Sequence, residues 1–141
     1  MTASAKNLTL GDAIDARLGR PFEWLARGPE AFDCLGLYLD LLEDVQGVRL
    51  PHPFRDRASA EEGLLGFWKA FDRLPTISSD LEPMDILFWR LPGHRGHVVI
   101  VEDPAPWGWC ASVSEERGVH RLPIRTALDL AEDRFHYRGP P

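Results

Sequence analysis

A chain of 141 residues and 15.9 kDa is sized for one domain and buries roughly 70% of the surface that its unfolded form exposes. Apolar residues make up 44% and charged residues 27%, which excludes wholesale disorder; 22 acidic against 16 basic side chains give a net charge of −6, the wrong sign for a protein that tracks nucleic-acid phosphates. Two cysteines cannot build a disulfide framework and lack the spacing of a structural zinc site. The polar start, Met1 to Leu10, carries no apolar leader, and the Leu-rich run after Cys34 is broken by Asp40, Glu43 and Asp44. The expectation is a protein made in the cytoplasm, with no membrane insertion.

Thr9 to Leu18 reads as a first helix, opened by Thr9 and Asp12 and closed by Gly19 and Pro21. A loop from Arg20 to Phe32 carries two prolines and the aromatics Phe22 and Trp24. Cys34, Leu37, Tyr38, Leu41, Leu42 and Val45 then recur at three- and four-residue steps, with Asp33 as N-cap and Gly47 as C-cap. Leu50 to Phe54 is an extended connector. Ser59 and Glu62 open a third helix with Leu64, Leu65, Phe67, Trp68 and Phe71 on its buried face. After Pro75 the period becomes two, and strands are expected over Asp85 to Leu91, His97 to Glu102, Trp109 to Val113 and Val119 to Leu122. A short helix from Thr126 and a strand over Phe135 to Arg138 close the chain. Helices followed by an antiparallel sheet define an α+β class.

Two residues carry candidate chemistry. Cys34 sits at the start of the most clearly helical segment, where unpaired backbone N–H groups favour an anion and a lowered thiol pKa; the alternative is a cysteine that merely begins the apolar stripe. His97 opens a strand and shares a face with Val99 and Val101; if that face packs on the Cys34 helix, the imidazole meets the thiol. The alternative is an exposed histidine after a Gly-rich turn. His94 and His97 form an H-x-x-H pair, but a turn–strand junction does not converge them as helix-borne ligands converge, so no metal is assigned.

In chain order, Gly19-Arg20-Pro21-Phe22-Glu23-Trp24, Phe32-Asp33-Cys34-Leu35-Gly36-Leu37, Met84-Asp85-Ile86-Leu87-Phe88 and Gly96-His97-Val98-Val99-Ile100-Val101 resemble the G-x-P-[YF]-x-W, D-C-x-G-L, G-D-[IL]-V-F-F and H-V-[GA]-[IV]-[YV] segments of the NlpC/P60 cysteine peptidases. D-C-x-G-L is the specific element, and the resemblance covers nearly the whole chain. It implies a minimal papain-like fold, N-terminal helices packed on an antiparallel sheet, as a single domain over residues 1–141. It further implies hydrolysis of peptidoglycan stem peptides, typically at the γ-D-glutamyl bond to the diamino acid, with no cofactor and no metal. By position, Cys34 is the nucleophile and His97 the general base. Asp33 binds the substrate's amine, with Phe22 and Trp24 beside it on the substrate side.

Three positions depart from the family pattern. Phe22 stands for the usual Tyr, and Met84 for the Gly of G-D-[IL]. Cys110 occupies the third catalytic position, near Trp109-Cys110-Ala111, with Ser112 on the same face as a substitute. The chain also resembles the short NlpC/P60 proteins of phage tails and gene transfer agents, which implies tail or baseplate proteins as partners and incorporation into a tail particle. The alternatives are a cytoplasmic recycling hydrolase, a catalytically weak adaptor domain in a baseplate, and an amidase of the CHAP type.

Overall fold

The computed structural model of the protein describes residues 9–52, 70–74, 80–91 and 95–139. Helix α1 spans Leu10–Asp15, with the Thr9 hydroxyl accepting the Asp12 N–H at 3.1 Å. It stops short of the expected Leu18: Arg17 donates to the Ala13 carbonyl and pairs with Asp40 and Asp44, which ties the end of α1 to the next helix. Helix α2 runs Cys34–Gln46 between the two expected caps; Gly47 takes the left-handed conformation at φ 70°, which a glycine adopts without a Cβ penalty.

Among the described residues six antiparallel strands follow: β1 Phe71–Leu74, β2 Ile86–Leu91, β3 Arg95–Val101, β4 Trp109–Ser114, β5 Gly118–Pro123 and β6 Asp133–Tyr137. Their order in the sheet is β1-β6-β2-β3-β4-β5, with helix α3 at Ile124–Leu130 between β5 and β6. Phe71, expected at the end of a helix, begins β1 instead. The register Phe71↔Tyr137 supplies its backbone partners from the far end of the chain. The rest of the third helix expected from Ser59 lies outside the described residues.

Apolar side chains cover both faces of the sheet. Val98, Ile100, Ala111 and Val113 join the core of α1 and α2, built on Ile14, Leu37, Tyr38 and Leu41. Leu87, Val99, Val101 and Cys110 form a second cluster against Ile124 and Ala127 of α3. The strand face expected to meet the Cys34 helix, that of Val99 and Val101, therefore turns the other way, and Val98 and Ile100 pack toward α2.

Ahead of β2, Met84 holds φ 74°, a left-handed conformation that suits the glycine usual at this position of the motif. Its side chain is 4% exposed and packs in the main core. The adjacent Asp85, fully buried, pairs with Arg134 at 2.7 Å and contacts His136 Nδ1 at 2.6 Å, so a charged knot joins the start of β2 to β6.

Candidate active site

The N-terminus of α2 is held by one buried carboxylate. Asp33 Oδ1 accepts the Gly36 N–H at 2.6 Å, and Oδ2 accepts the Leu25 N–H at 2.9 Å. His52 Nε2 lies 3.2 Å and 3.1 Å from the two oxygens. Three stretches of chain meet there: the first turn of α2, the loop carrying Phe22 and Trp24, and the segment after α2. Leu25 takes φ 67° to deliver its N–H. The loop is drawn further in by the Asp33 N–H donating to the Ala26 carbonyl at 2.9 Å. A Cβ on Gly36 would stand 2.0 Å from that carbonyl oxygen, which is why the fourth residue of Asp33-Cys34-Leu35-Gly36-Leu37 has no side chain.

The resemblance assigns Asp33 to the substrate's amine, and the structure shows what else its carboxylate does. Rather than standing open to a substrate amine, its carboxylate is 2% exposed and already engaged by two backbone N–H groups and an imidazole. Sequence reasoning missed His52, whose only signal is a lone imidazole in a Pro-His-Pro connector.

His97 lies opposite Trp89 on β2, with ring centroids 5.2 Å apart. Its Nε2 is 2.9 Å from Ser112 Oγ. Cys110 does not fill the third position. It is paired with Val101, four residues along β3 from His97 and hence roughly 13 Å away, and is fully buried among Leu87, Val99 and Ile124. Cys110 and Ser112 share a strand face, as alternation requires, and the register selects Ser112.

Between β3 and β4 the ladder consists of Ile100↔Ala111 and Val101↔Cys110. Toward His97 the strands part, and the Val98 backbone comes near enough to the Cys34 sulfur to favour its anion. The helix tip thus lies against Val98, the residue next to His97, on the side of the main core, while the His97 ring contacts Trp89 and Ser112.

The thiol does not have the lowered pKa expected at a helix N-terminus. Burial, and then the Asp33 carboxylate, push it up to about 12, against backbone hydrogen bonds from Val98, Leu35 and Cys34 itself that favour the anion. Desolvation outweighs the helix end. Burial thus favours the neutral thiol, although Cys34 is half-buried and keeps some exposure.

An open cleft of about 640 Å³ is lined by Phe22, Glu23, Trp24 and Glu115. Phe22 meets Trp24 edge to face at 5.3 Å and is bridged to Phe32, two residues before Cys34. Glu115 follows the end of β4, three residues beyond Ser112. The cleft therefore lies between the Phe22–Trp24 loop and the turn after β4; Cys34, His97 and Ser112 are not among its lining residues. Trp107, 79% exposed, lines a separate apolar depression with Pro104, Pro106 and Leu128, under the Arg125 guanidinium.

His94 of the H-x-x-H pair lies outside the described residues. Among those described, Glu82, Asp85 and His136 bring ligand-type atoms within 4.8 Å of one another, but Arg134 pairs with the central carboxylate, so the group is an ion-pair knot.

Comparison with known proteins decides the family. The NlpC/P60 family profile matches residues 19–104, more than half of the sequence. The chain belongs to the NlpC/P60 family. Solved structures share the fold: the NlpC/P60 domain of the peptidoglycan hydrolase SagA is 19% identical with a TM-score of 0.61, covering 91% of this chain and 96% of that one. An NLP/P60-family protein similar to a lipoprotein, from Staphylococcus aureus, is 17% identical with a TM-score of 0.63 and covers 96% of this chain. NlpC2 from Trichomonas vaginalis is 15% identical with a TM-score of 0.66 and covers 91%. The chain spans 42% and 45% of the length of the last two. No curated protein sequence matches. The expected α+β fold is thus that of the NlpC/P60 peptidoglycan hydrolases, with Asp33-Cys34-Leu35-Gly36-Leu37 and His97 within the matched segment.

Proposed function

We propose that this chain is a cysteine endopeptidase of peptidoglycan stem peptides, acting as a single domain, with Cys34 as nucleophile, His97 as general base and Ser112 orienting the imidazole. The observation that carries the reading is the 2.9 Å contact between Ser112 Oγ and His97 Nε2, next in the chain to Val98, whose backbone lies near the Cys34 sulfur. With Nε2 directed at Ser112, Nδ1 is the nitrogen that takes the thiol proton as sulfur attacks the scissile carbonyl carbon. Backbone N–H groups at the tip of α2 stabilise the oxyanion. The imidazolium returns the proton to the leaving amine, and water then releases the acyl group from the thioester and restores the thiol. A neutral resting thiol suits general-base activation more than a preformed ion pair.

The cleft of Phe22, Glu23, Trp24 and Glu115 receives the peptide, and the γ-D-glutamyl bond to the diamino acid is the bond assigned to cleavage. Delivery in a phage-like tail, with tail or baseplate proteins as partners, rests on the likeness of the Gly28-Pro29-Glu30-Ala31-Phe32 lead-in and Asp33-Cys34-Leu35-Gly36-Leu37 to the short tail-associated members. Mass spectrometry of purified particles from a producing culture tests it: the chain co-purifying with tail proteins supports it, and its confinement to the cell lysate refutes it.

The test of the enzyme is mass analysis of muropeptides after digestion under reducing conditions. New termini at the stem peptide, lost in Cys34→Ala with the melting temperature held, support the assignment; cleavage at the glycan–peptide amide instead identifies an amidase. Two features favour the adaptor reading: burial that pushes the Cys34 thiol up to about 12, and Phe22 in place of a tyrosine, with no hydroxyl for the reacting carbonyl. Intact muropeptides with every wall preparation, together with normal particle assembly in Cys34→Ala, decide for it.

A further inference from the structure

We infer that His52 is a positioning residue for the nucleophile, acting through Asp33: its ring clamps the carboxylate that sets the tip of α2 and, with it, the sulfur of Cys34. The inference deepens the peptidase reading and rests on it for its catalytic meaning, but its geometry stands apart from the Cys34–His97 chemistry.

Asp33 immediately precedes Cys34, so any movement of its side chain moves the nucleophile's own peptide. Its two oxygens hold the α2 cap at Gly36 and the loop at Leu25, both backbone donors fixed by the fold. His52 is the third donor and the only side chain among these three. It reaches both oxygens, at 3.1 Å and 3.2 Å, from the segment that follows α2. The contact is sheltered, with the His52 side chain 11% exposed and that of Asp33 2% exposed, so water is a poor substitute for the imidazole.

Two consequences reach the sulfur. Mechanically, the clamp fixes the rotamer through which Asp33 caps α2, and an unclamped carboxylate can turn away from Gly36. Electrostatically, Asp33 is the neighbouring charge that disfavours the Cys34 thiolate. A ring N–H donated to that carboxylate draws off part of its charge, so losing the ring raises the cost of forming the thiolate. Both act in the same direction, toward a less reactive sulfur. Both also require Asp33 to be a carboxylate.

The experiment reads the rate of iodoacetamide alkylation of Cys34, located by peptide mass spectrometry and separable from the buried Cys110, at one mildly alkaline pH. His52→Ala and His52→Phe, the second keeping the ring's bulk without its nitrogen, are each expected to slow alkylation about tenfold, the factor that one unit of thiol pKa represents. His52→Gln, which keeps an N–H donor, is expected to return to within about threefold of the unmodified protein. In an Asp33→Asn background the His52 substitutions are expected to change the rate by less than about twofold. Where His52→Ala does not fold, as judged by circular dichroism, His52→Phe carries the comparison. Alkylation of His52→Phe at the original rate, Gln behaving like Phe, or a tenfold drop persisting in the Asp33→Asn background overturns the inference. Alkylation needs no wall substrate: intact coupling in a protein that cleaves no muropeptide refutes the peptidase and leaves the clamp, whereas turnover without coupling does the reverse.

Discussion

Replacing Gly36 with alanine tests the tightest contact of the site, because two large effects oppose each other there. On helix propensity alone, alanine in place of glycine gains about 1 kcal/mol. Against this, the new methyl carbon stands 2.0 Å from the Ala26 carbonyl oxygen and 2.9 Å from both its carbon and Asp33 Oδ1. Normal contact requires more than a further ångström. The obstacle is backbone, pinned by the Asp33 N–H at 2.9 Å, so no rotamer change relieves it. Overpacking of this kind costs about 3 kcal/mol, and displacing Asp33 from its 2.6 Å bond to the Gly36 N–H forfeits about 1 kcal/mol of capping. The balance is a loss of about 3 kcal/mol, or roughly 6–12 °C in Tm for a domain of this size. Urea denaturation of the two proteins measures it. A Gly36→Ala protein as stable as its parent, or more so, would show that propensity wins and that the loop does not press on the helix as described.

Ser112→Ala should keep its stability within about 1 kcal/mol and lower turnover on muropeptides about 10- to 100-fold, the worth of one buried hydrogen bond to a catalytic ring; an unchanged kcat would remove Ser112 from the site. Arg134→Met leaves the fully buried Asp85 carboxylate without its cation and should cost about 3–5 kcal/mol in denaturant titrations, a loss below about 1 kcal/mol being incompatible with the ion-pair knot. Alkaline pH should destabilise the protein. Burial, with Asp33 beside Cys34 and Glu102 near Cys110, holds both thiols up to about 12 in the folded state, whereas unfolded thiols titrate near about 8.5. The unfolded chain therefore sheds these protons first, and stability falls as pH rises from about 8.5 toward 12, by up to ~1.4 kcal/mol per thiol for each pH unit. Denaturant midpoints across that window, with Cys110→Ala showing about half the slope, provide the measurement.

The elements that proved legible from the residues are those whose signals are local. Helix α2 announced both ends through Asp33 and Gly47, and the alternating runs around Ile86, Val99 and Val113 fell within the observed strands. Phe71 was misassigned because its hydrogen-bond partners lie on β6, some 60 residues away, while the preceding apolar spacing looked helical. The same limit applies at the site. Period-two alternation put Cys110 and Ser112 on one face, but the choice between them depends on the β3–β4 register, which is set by a turn and a parting ladder that the sequence does not spell out. The lowered thiol pKa was out of reach for another reason: a helix end is visible in sequence, but the partial burial around its first residue is a tertiary property. His52 was invisible because its meaning comes wholly from the carboxylate that it touches.

Met84 couples backbone strain to core packing. A left-handed backbone beneath a methionine stores about 1–2 kcal/mol of steric strain, yet the same side chain returns about 1.5–3 kcal/mol by filling space beneath the sheet. Met84→Gly would release the strain and hollow out the interior in one step. Backbone and packing at this position therefore pull in opposite directions, and any gain from relaxing one is offset by a loss in the other.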